Sequence, residues 1–454
     1  MAVTLREKIE QEIHERGPIP FSRYMELCLY DPELGYYSRD VERFGKAGDF
    51  YTSSDVHAVF GRLLARQFEE IWRVLGSPER IEVLELGPGR GLFARDVLDW
   101  SEKKFPEFFQ ALHYSLVEGS AALRERLRST LSRHFESGKA SLLQRLKPPG
   151  CPGLIGTAKA VPSHDDPTVQ MRLSERSGKG TTSILPQRIG EGTTPAVPQP
   201  IREGTTLEAC PERSRRVPQG SDLQRALAPE VPTIVFANEF FDALPVEVLS
   251  PQGELRIAIR DGRLFETWAP ASSEELEFLD RFSVHPENGE RVEVPLWAQS
   301  CMSEIAAAVK HGIIIIIDYG YSREEQLAGR HRGTLMAFRQ HSATANPYEA
   351  PGEQDITAHV NFTALAAAAE QNGMQVQPLL TQSQFLMGIG EQNQFGDAFE
   401  DCRLPQERAK VALQLKHLVT PAGMGESFHV LVVSKGIDAD RASTLMGLNF
   451  SKKR

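Results

Sequence analysis

The chain has 454 residues, 41% of them hydrophobic and 25% charged, and its 51 Lys and Arg against 61 Asp and Glu leave a formal net charge of -10. That length supports about two or three domains with a sizeable core, and the acidic balance argues against nucleic acid as a partner, because neutralising a phosphate backbone takes clustered excess cations. Five scattered cysteines (Cys28, Cys151, Cys210, Cys301 and Cys402) with no C-x-x-C pair exclude a disulfide scaffold and a sequence-local zinc site, and fit a reducing compartment.

Thr4 and Glu7 form a capping box ahead of Leu5, Ile9 and Ile13 on one helical face, and Gly17-Pro18 is a stop signal. A helix that begins at once leaves no signal or transit peptide, so a cytoplasmic protein is expected. No apolar run approaches the roughly 20 residues of a bilayer span. The most apolar stretch, Ile313 to Ile317, is strand length, and a soluble chain without a membrane span is expected.

Apolar residues at helical spacing predict a helix from Ser54 to Leu75, then a strand from Ile81 to Leu86, a helix from Leu92 to Trp100, a strand from His113 to Glu118 and a helix from Ala121 to His134. Strands follow at Thr233 to Ala237 and Ile313 to Asp318, with Asp261-Gly262 as a hairpin turn between Leu255–Arg260 and Arg263–Trp268. Val376 to Leu380 and Phe428 to Ser434 can supply the last strands. Near-continuous apolar strands alternating with helices predict an α/β fold, with a parallel sheet covered on both faces and a small antiparallel addition.

Residues 139–232 differ from their surroundings. No Phe, Trp or Tyr occurs between Phe135 and Phe236, and a period of 12 repeats from Gly178, Gly190 and Arg202 (GKGTTSILPQRI, GEGTTPAVPQPI, REGTTLEACPER). Such a segment buries too little apolar surface to offset its ordering entropy, so a disordered insertion is expected there. The domain reading is therefore an N-terminal helical and lid region at 1–76, a catalytic domain in two halves at 77–138 and 233–436, the insertion between them, and a tail at 437–454.

The strongest local signal is EVLELGPGRGLFARDVL, where the strand ending at Leu86 runs into Gly87-Pro88-Gly89-Arg90-Gly91 and then a helix. Glycines there let the backbone approach a ligand closely. A dinucleotide fingerprint needs a glycine at position 92, where Leu92 stands, and a P-loop needs Gly-Lys-Ser/Thr, so a nicotinamide dehydrogenase and a nucleotide triphosphatase are disfavoured. A G-x-G-x-G loop preceded by Glu85 resembles the first motif of class I S-adenosylmethionine-dependent methyltransferases. In that family the loop passes beneath the methionine and ribose. Glu118, at the end of the next strand, is placed to accept both ribose hydroxyls.

Further segments carry a closer resemblance. GPIPFSRYMELCLYDPELGYYS at Gly17, GKAGDFYTSS at Gly45, ELGPGRG at Glu85, ANEFFDALPVEV at Ala237, IIIIDYGY at Ile314 and GTLMAFRQHSATANPYEAPGEQDITAHVNF at Gly333 are similar to the MidA family. The resemblance covers nearly the whole chain outside the insertion. It implies a Rossmann-like class I methyltransferase sheet and S-adenosyl-L-methionine as cofactor, and displacement at a sulfonium requires no metal. Mitochondrial members methylate an arginine of a respiratory complex I subunit, so a protein substrate of that kind is implied. The chain departs from the pattern where the insertion falls, which leaves the adenine-contacting acid unassigned, and at Thr52-Ser53-Ser54-Asp55, where Thr-Ser-Pro-Glu is usual.

Methyl transfer from a sulfonium is an in-line displacement that needs alignment and exclusion of water. A guanidinium acceptor is a planar fork of donors that carboxylates hold bidentately. Just after the strand at Thr233 to Ala237, where open α/β sheets bind ligands, Glu239 is expected as the orienting carboxylate, Asp242 as its helper and Asn238 near the cofactor. The competing reading of Glu239 and Asp242 is that they favour a helix N-terminus through its dipole. Gly48, Asp49, Phe50 and Thr52 are expected to fold over the cofactor as a lid. Asp355, His359 and Asn361 are expected to border the acceptor, with His359 relaying a proton, and Asp318 and Tyr319 end a strand on the same rim. The alternatives are a methyltransferase of a small molecule or another residue, and an assembly protein that keeps the fold without turnover.

Overall fold

The computed structural model describes residues 3–38, 58–144, 230–329, 333–339, 342–344 and 346–450. The three tandem repeats and the expected lid around Gly48 lie outside these residues.

Helix α1 (Leu5–Arg16) starts on the capping box read from the sequence: Glu7 N–H donates to Thr4 Oγ1 at 3.2 Å, and Thr4 N–H donates to a Glu7 carboxylate oxygen at 2.7 Å. Its buried stripe of Leu5, Ile9 and Ile13 packs with α2 (Phe21–Tyr30) onto an antiparallel sheet ordered β1 (Ile19–Pro20), β7 (Gly253–Arg260), β6 (Glu247–Ser250) and β9 (Val292–Val294), with β8 (Arg263–Ala269) on β7. The β7–β8 turn is Asp261-Gly262, with φ of 49° and 69°. Left-handed φ at both central positions gives the turn that matches strand twist, and Asp-Gly accommodates it. Helix α6 (Ser273–Phe282) covers β9 through Phe278 and Leu279.

The main sheet is built from parallel β2 (Ile81–Leu86), β3 (Leu112–Glu118), β4 (Ala140–Gln144), β5 (Thr233–Asn238) and β10 (Gly312–Tyr321), with β17 (Phe428–Lys435) antiparallel to β10. The order is β4-β3-β2-β5-β10-β17, then β15 (Gln375–Val376). Both faces are covered, which is why the strands read as unbroken apolar runs. Val83, Phe236 and Ile315 point to a layer containing α3 (Ala58–Val74) and α4 (Leu92–Lys104). Leu84, Val235 and Ile316 point to one with α7 (Leu296–Ala308) and α8 (Phe362–Gln371). Phe236 stacks on Phe93 with ring centroids 4.5 Å apart. Among the described residues, no helix is long and apolar enough to cross a membrane.

Chain order fixes where a ligand goes. From β2 the chain moves outward to β3 and β4, whereas β5 returns to the other side of β2 and continues to β10. The carboxyl ends of β2 and β5 therefore flank the crevice at which open α/β sheets bind ligands.

Three boundaries differ from the sequence reading. Residues Ala140–Gln144, grouped above with the insertion, pair in parallel with Tyr114–Glu118 as β4, because Ala140 and its neighbours extend the apolar sheet edge. Helix α3, grouped with the N-terminal region, belongs to the main layer, where Phe60, Leu64 and Phe68 are buried. The expected tail is packed as well: Gly447 N–H donates to Gln67 Oε1 at 2.9 Å, and Leu445, Met446 and Leu448 are buried.

Candidate active site

The glycine loop closes the carboxyl end of β2. Gly87, Gly89 and Gly91 have φ of 63°, 53° and 75°, all left-handed. Gly87 N–H donates to Val117 O at 3.1 Å and Gly91 N–H to Pro88 O at 2.9 Å, so β3 and the loop's own carbonyl hold the turn. Each glycine has a different reason to lack a side chain. A Cβ on Gly87 would lie 2.9 Å from Phe240 Cδ2, and one on Gly91 would lie 2.6 Å from Leu127 Cδ2 on α5 (Ala121–Thr130). At Gly89 a Cβ would meet nothing within 4 Å among the described residues. Among the described residues nothing fills the space at Gly89, and a backbone with that freedom can lie directly against a ligand.

Two carboxyls support the loop. Tyr114 donates its hydroxyl to Glu85 Oε2 at 2.9 Å, and burial pushes the Glu85 carboxyl up to about 8. Glu118 Oε1 accepts the Ser120 N–H at 2.8 Å. Burial pushes the Glu118 carboxyl up to about 7, against the N–H groups of Ser120, Gly119 and Gly89 that favour the anion. The Tyr114 partner could not be read from sequence, since it depends on the register of β2 and β3.

After β5 the chain makes a tight turn. Glu239 has φ of 50°, left-handed for a non-glycine residue, and its N–H donates to Ile317 O at 3.0 Å. Asn238 Nδ2 donates to Glu239 Oε1 at 3.1 Å, while Asn238 Oδ1 is buried with no partner among the described residues. Tyr319 donates its hydroxyl to Asp242 Oδ2 at 2.6 Å, and Asp242 Oδ1 is likewise buried without a partner among them. Burial pushes the Asp242 carboxyl up to about 6. No helix starts here: residues 239–246 run as a turn into β6, so Glu239 and Asp242 have no helix N-terminus to cap.

Asp318, fully buried, accepts backbone N–H groups from Phe240, Phe241 and Asp242 through Oδ2, and from Tyr319 through Oδ1. Burial, then the carboxylates of Asp242 and Glu239, raise its carboxyl well above the usual range. Strand β13 (Asp355–Thr357) leads alongside this turn, where Ala358 N–H donates to Asp242 O at 3.0 Å. The His359 ring packs edge-on against Tyr319 with centroids 5.3 Å apart, and Tyr37 donates its hydroxyl to Asp355 Oδ1 at 2.9 Å. Tyr30, on α2, donates to Ala243 O at 2.9 Å. Asn361 is not at this rim. It caps α8, accepting the Ala364 N–H at 3.0 Å and donating to Phe282 O at 2.9 Å. The expected lid residues Gly48, Asp49, Phe50 and Thr52 lie outside the described residues.

The structure thus brings together, at one end of the sheet, an open glycine backbone, a carboxyl on the following strand and buried polar atoms without partners. That set fits a ligand with a methionine and ribose beside the loop. A family model described as S-adenosyl-L-methionine-dependent methyltransferase matches residues 63–380. The chain belongs to this family, the MidA family. It is a methyltransferase with a Rossmann-like class I sheet, and its cofactor is S-adenosyl-L-methionine.

A Drosophila melanogaster relative named protein arginine methyltransferase NDUFAF7 homolog, mitochondrial, is 26% identical over 99% of this chain and 89% of its own length. The Homo sapiens protein arginine methyltransferase NDUFAF7, mitochondrial, is 26% identical over 92% of this chain and 80% of its own. A Burkholderia thailandensis crystal structure bound to S-adenosyl-homocysteine is 26% identical with a TM-score of 0.68, covering 96% of this chain and 92% of that one. The mitochondrial names of these relatives contradict the cytoplasmic placement expected from the first helix.

Proposed function

We propose that this MidA family methyltransferase modifies an arginine side chain of a protein, and that the family resemblance points to a respiratory complex I subunit as the substrate. The names of the curated relatives support arginine. The observation that carries the reading is the acidic end of β5. Asp242 keeps one buried oxygen without a partner, and neither Asp242 nor Asp318 joins an ion pair with a Lys or Arg among the described residues. A buried carboxylate cluster without a Lys or Arg partner among the described residues, one of whose oxygens, Asp242 Oδ1, has no donor among them, is complementary to a guanidinium, which supplies positive charge and N–H donors.

In this reading the backbone of Gly87 to Gly91 lies beneath the cofactor, Glu118 accepts its ribose hydroxyls, and Glu85 supports the loop from below. Pro88 shapes the turn through its carbonyl, and Asn238 turns its unpartnered oxygen toward the same ligand. The bound cofactor supplies an electrophilic methyl group. Glu239 and Asp242 accept N–H bonds from the acceptor and align its nitrogen, and Asp242 takes up the proton that the guanidinium loses. With its carboxyl near 6, Asp242 is ionised and able to do so at neutral pH. His359 lines the rim beside Tyr319. The strain of a left-handed Glu239 is of the kind that accumulates at functional turns.

The test is transfer of a labelled methyl group from S-adenosyl-L-methionine into cell-lysate protein, with mass spectrometry of the modified residue. Methylarginine is expected, and Glu239→Gln should lower its formation by about 100-fold or more. Label on lysine, or a Glu239→Gln protein as active as the wild type, would defeat the assignment.

A further inference from the structure

Asp318 and Tyr319 adjoin in sequence at the end of β10, and both act on the turn after β5. Asp318 Oδ2 accepts from three consecutive backbone N–H groups, Phe240 at 3.1 Å, Phe241 at 3.0 Å and Asp242 at 3.4 Å, while its Oδ1 accepts from Tyr319 at 2.9 Å. Shifting any of those residues would leave a buried donor and a buried carboxylate less satisfied, so the side chain sets the backbone path of 239–242. That path is the one that carries Glu239 at positive φ.

Tyr319 acts on the side chain rather than the backbone. Its hydroxyl holds Asp242 Oδ2 and so leaves Oδ1 as the available oxygen. The ring is braced edge-on by His359 and by Phe428, with centroids 5.3 and 5.6 Å away, which fixes where the hydroxyl lies.

We propose that Asp318 and Tyr319 are positioning residues for methyl transfer: Asp318 holds the 239–242 turn in shape, and Tyr319 orients the Asp242 carboxylate so that its second oxygen is left for the acceptor. This rests on the reading that Glu239 and Asp242 face the acceptor. The groups around Asp242 are Glu239 on its own turn, Asp318 and Tyr319 from β10, Tyr37 from the segment after α2, and Asp355 and His359 from β13 and the residues that follow. Among the described residues, none of these groups is a Lys or Arg. The Tyr319 hydroxyl is a donor that favours the ionised Asp242.

Tyr319→Phe keeps the ring and removes the donor. The ionised form of Asp242 loses support, its carboxyl titrates at higher pH, and the acid limb of the kcat profile moves upward. The rate of methylarginine formation in the protein fraction labelled by the wild type should fall about tenfold at pH 6.5 and recover above pH 8. The affinity for S-adenosyl-L-methionine by calorimetry should stay within about threefold. A purely structural role for the hydroxyl would lower the rate equally at every pH, and that outcome, or an unmoved acid limb, overturns the Tyr319 assignment.

Hydrogen exchange of the wild type tests Asp318 without a variant. The amides of Phe240, Phe241 and Asp242 should exchange at least about 100-fold slower than in a free peptide, since a buried carboxylate occupies them. In Asp318→Asn they should exchange about tenfold faster while residues 87–91 are unchanged. Unprotected amides in the wild type overturn the Asp318 assignment, whether or not the variant folds. Glu239→Gln and Asp242→Asn judge the underlying reading separately: wild-type rates in both would show that the acceptor lies elsewhere, whatever the amides do.

Discussion

Gly89→Ala separates contact with the cofactor from stability. Gly89 has φ of 53°, and an added Cβ would meet no heavy atom of the described residues within 4 Å, so the folded protein should lose only what a left-handed alanine costs. That is about 1–2 kcal/mol. Gly138, just before β4, is a matched control: φ is 70°, and a Cβ there would likewise meet no described residue within 4 Å. Gly138→Ala should therefore melt at nearly the same temperature as Gly89→Ala. The difference lies in what the new methyl occupies. If the cofactor rests on the loop at Gly89, as proposed, a methyl there should weaken binding at least about tenfold, or roughly 1.4 kcal/mol. At Gly138 it should leave affinity unchanged. Titration calorimetry with S-adenosyl-L-methionine, run beside thermal melts of both variants, reads the two effects. Equal affinity in the wild type and Gly89→Ala would refute the placement of this backbone under the cofactor.

Glu118→Gln should weaken cofactor binding by about tenfold or more in the same titration, because an amide offers a single acceptor oxygen where the ribose presents two hydroxyls. Glu85 and Glu118 are raised by burial to about 8 and about 7, above the ordinary value of 4.5. The unfolded chain therefore loses these protons first, and the stability linked to them, full below 4.5, is lost as pH rises toward 8. Thermal melts of the cofactor-free protein should accordingly fall from pH 5 to pH 8, with a smaller fall in Glu85→Gln; an equal fall would show that Glu85 does not titrate this way. Phe236→Ala removes a fully buried ring from its stack on Phe93. It should cost about 3–5 kcal/mol in denaturant unfolding, and a loss under about 1 kcal/mol would mean that the stack is not central.

Whatever depends on neighbours in sequence was legible. The capping box of α1, the Asp261-Gly262 hairpin, the apolar strands β2, β5 and β10, and the glycine loop all follow from residues within a turn or two of one another. The path of β4 was hidden because Ala140–Gln144 continues into a Gly- and Pro-rich stretch whose composition masks one short edge strand. The packed C-terminal residues were hidden because their partners, Gln67 and Phe385, are distant in sequence. Asn361 shows the reverse error: a polar residue in a motif-like segment proved to be a helix cap.

The two halves of the site differ in the same way. The proposed cofactor half uses consecutive β-strand and turn units, β2 with its loop and β3 with Glu118, so one stretch of about forty residues encodes it and a pattern can find it. The proposed acceptor half draws on Tyr37, the turn at 239–242, the end of β10 and residues 355–359, which are brought together by the pairing of β10 with β5 and the bond from Ala358 to Asp242. A single aspartate at the end of five isoleucines was the available sequence signal, since a charge closing a buried strand must find donors. It found them in the very turn that presents Glu239. The acceptor side can therefore be altered through residues 355–359 without touching the loop, which is the arrangement expected of a sheet that keeps one cofactor while its substrates differ.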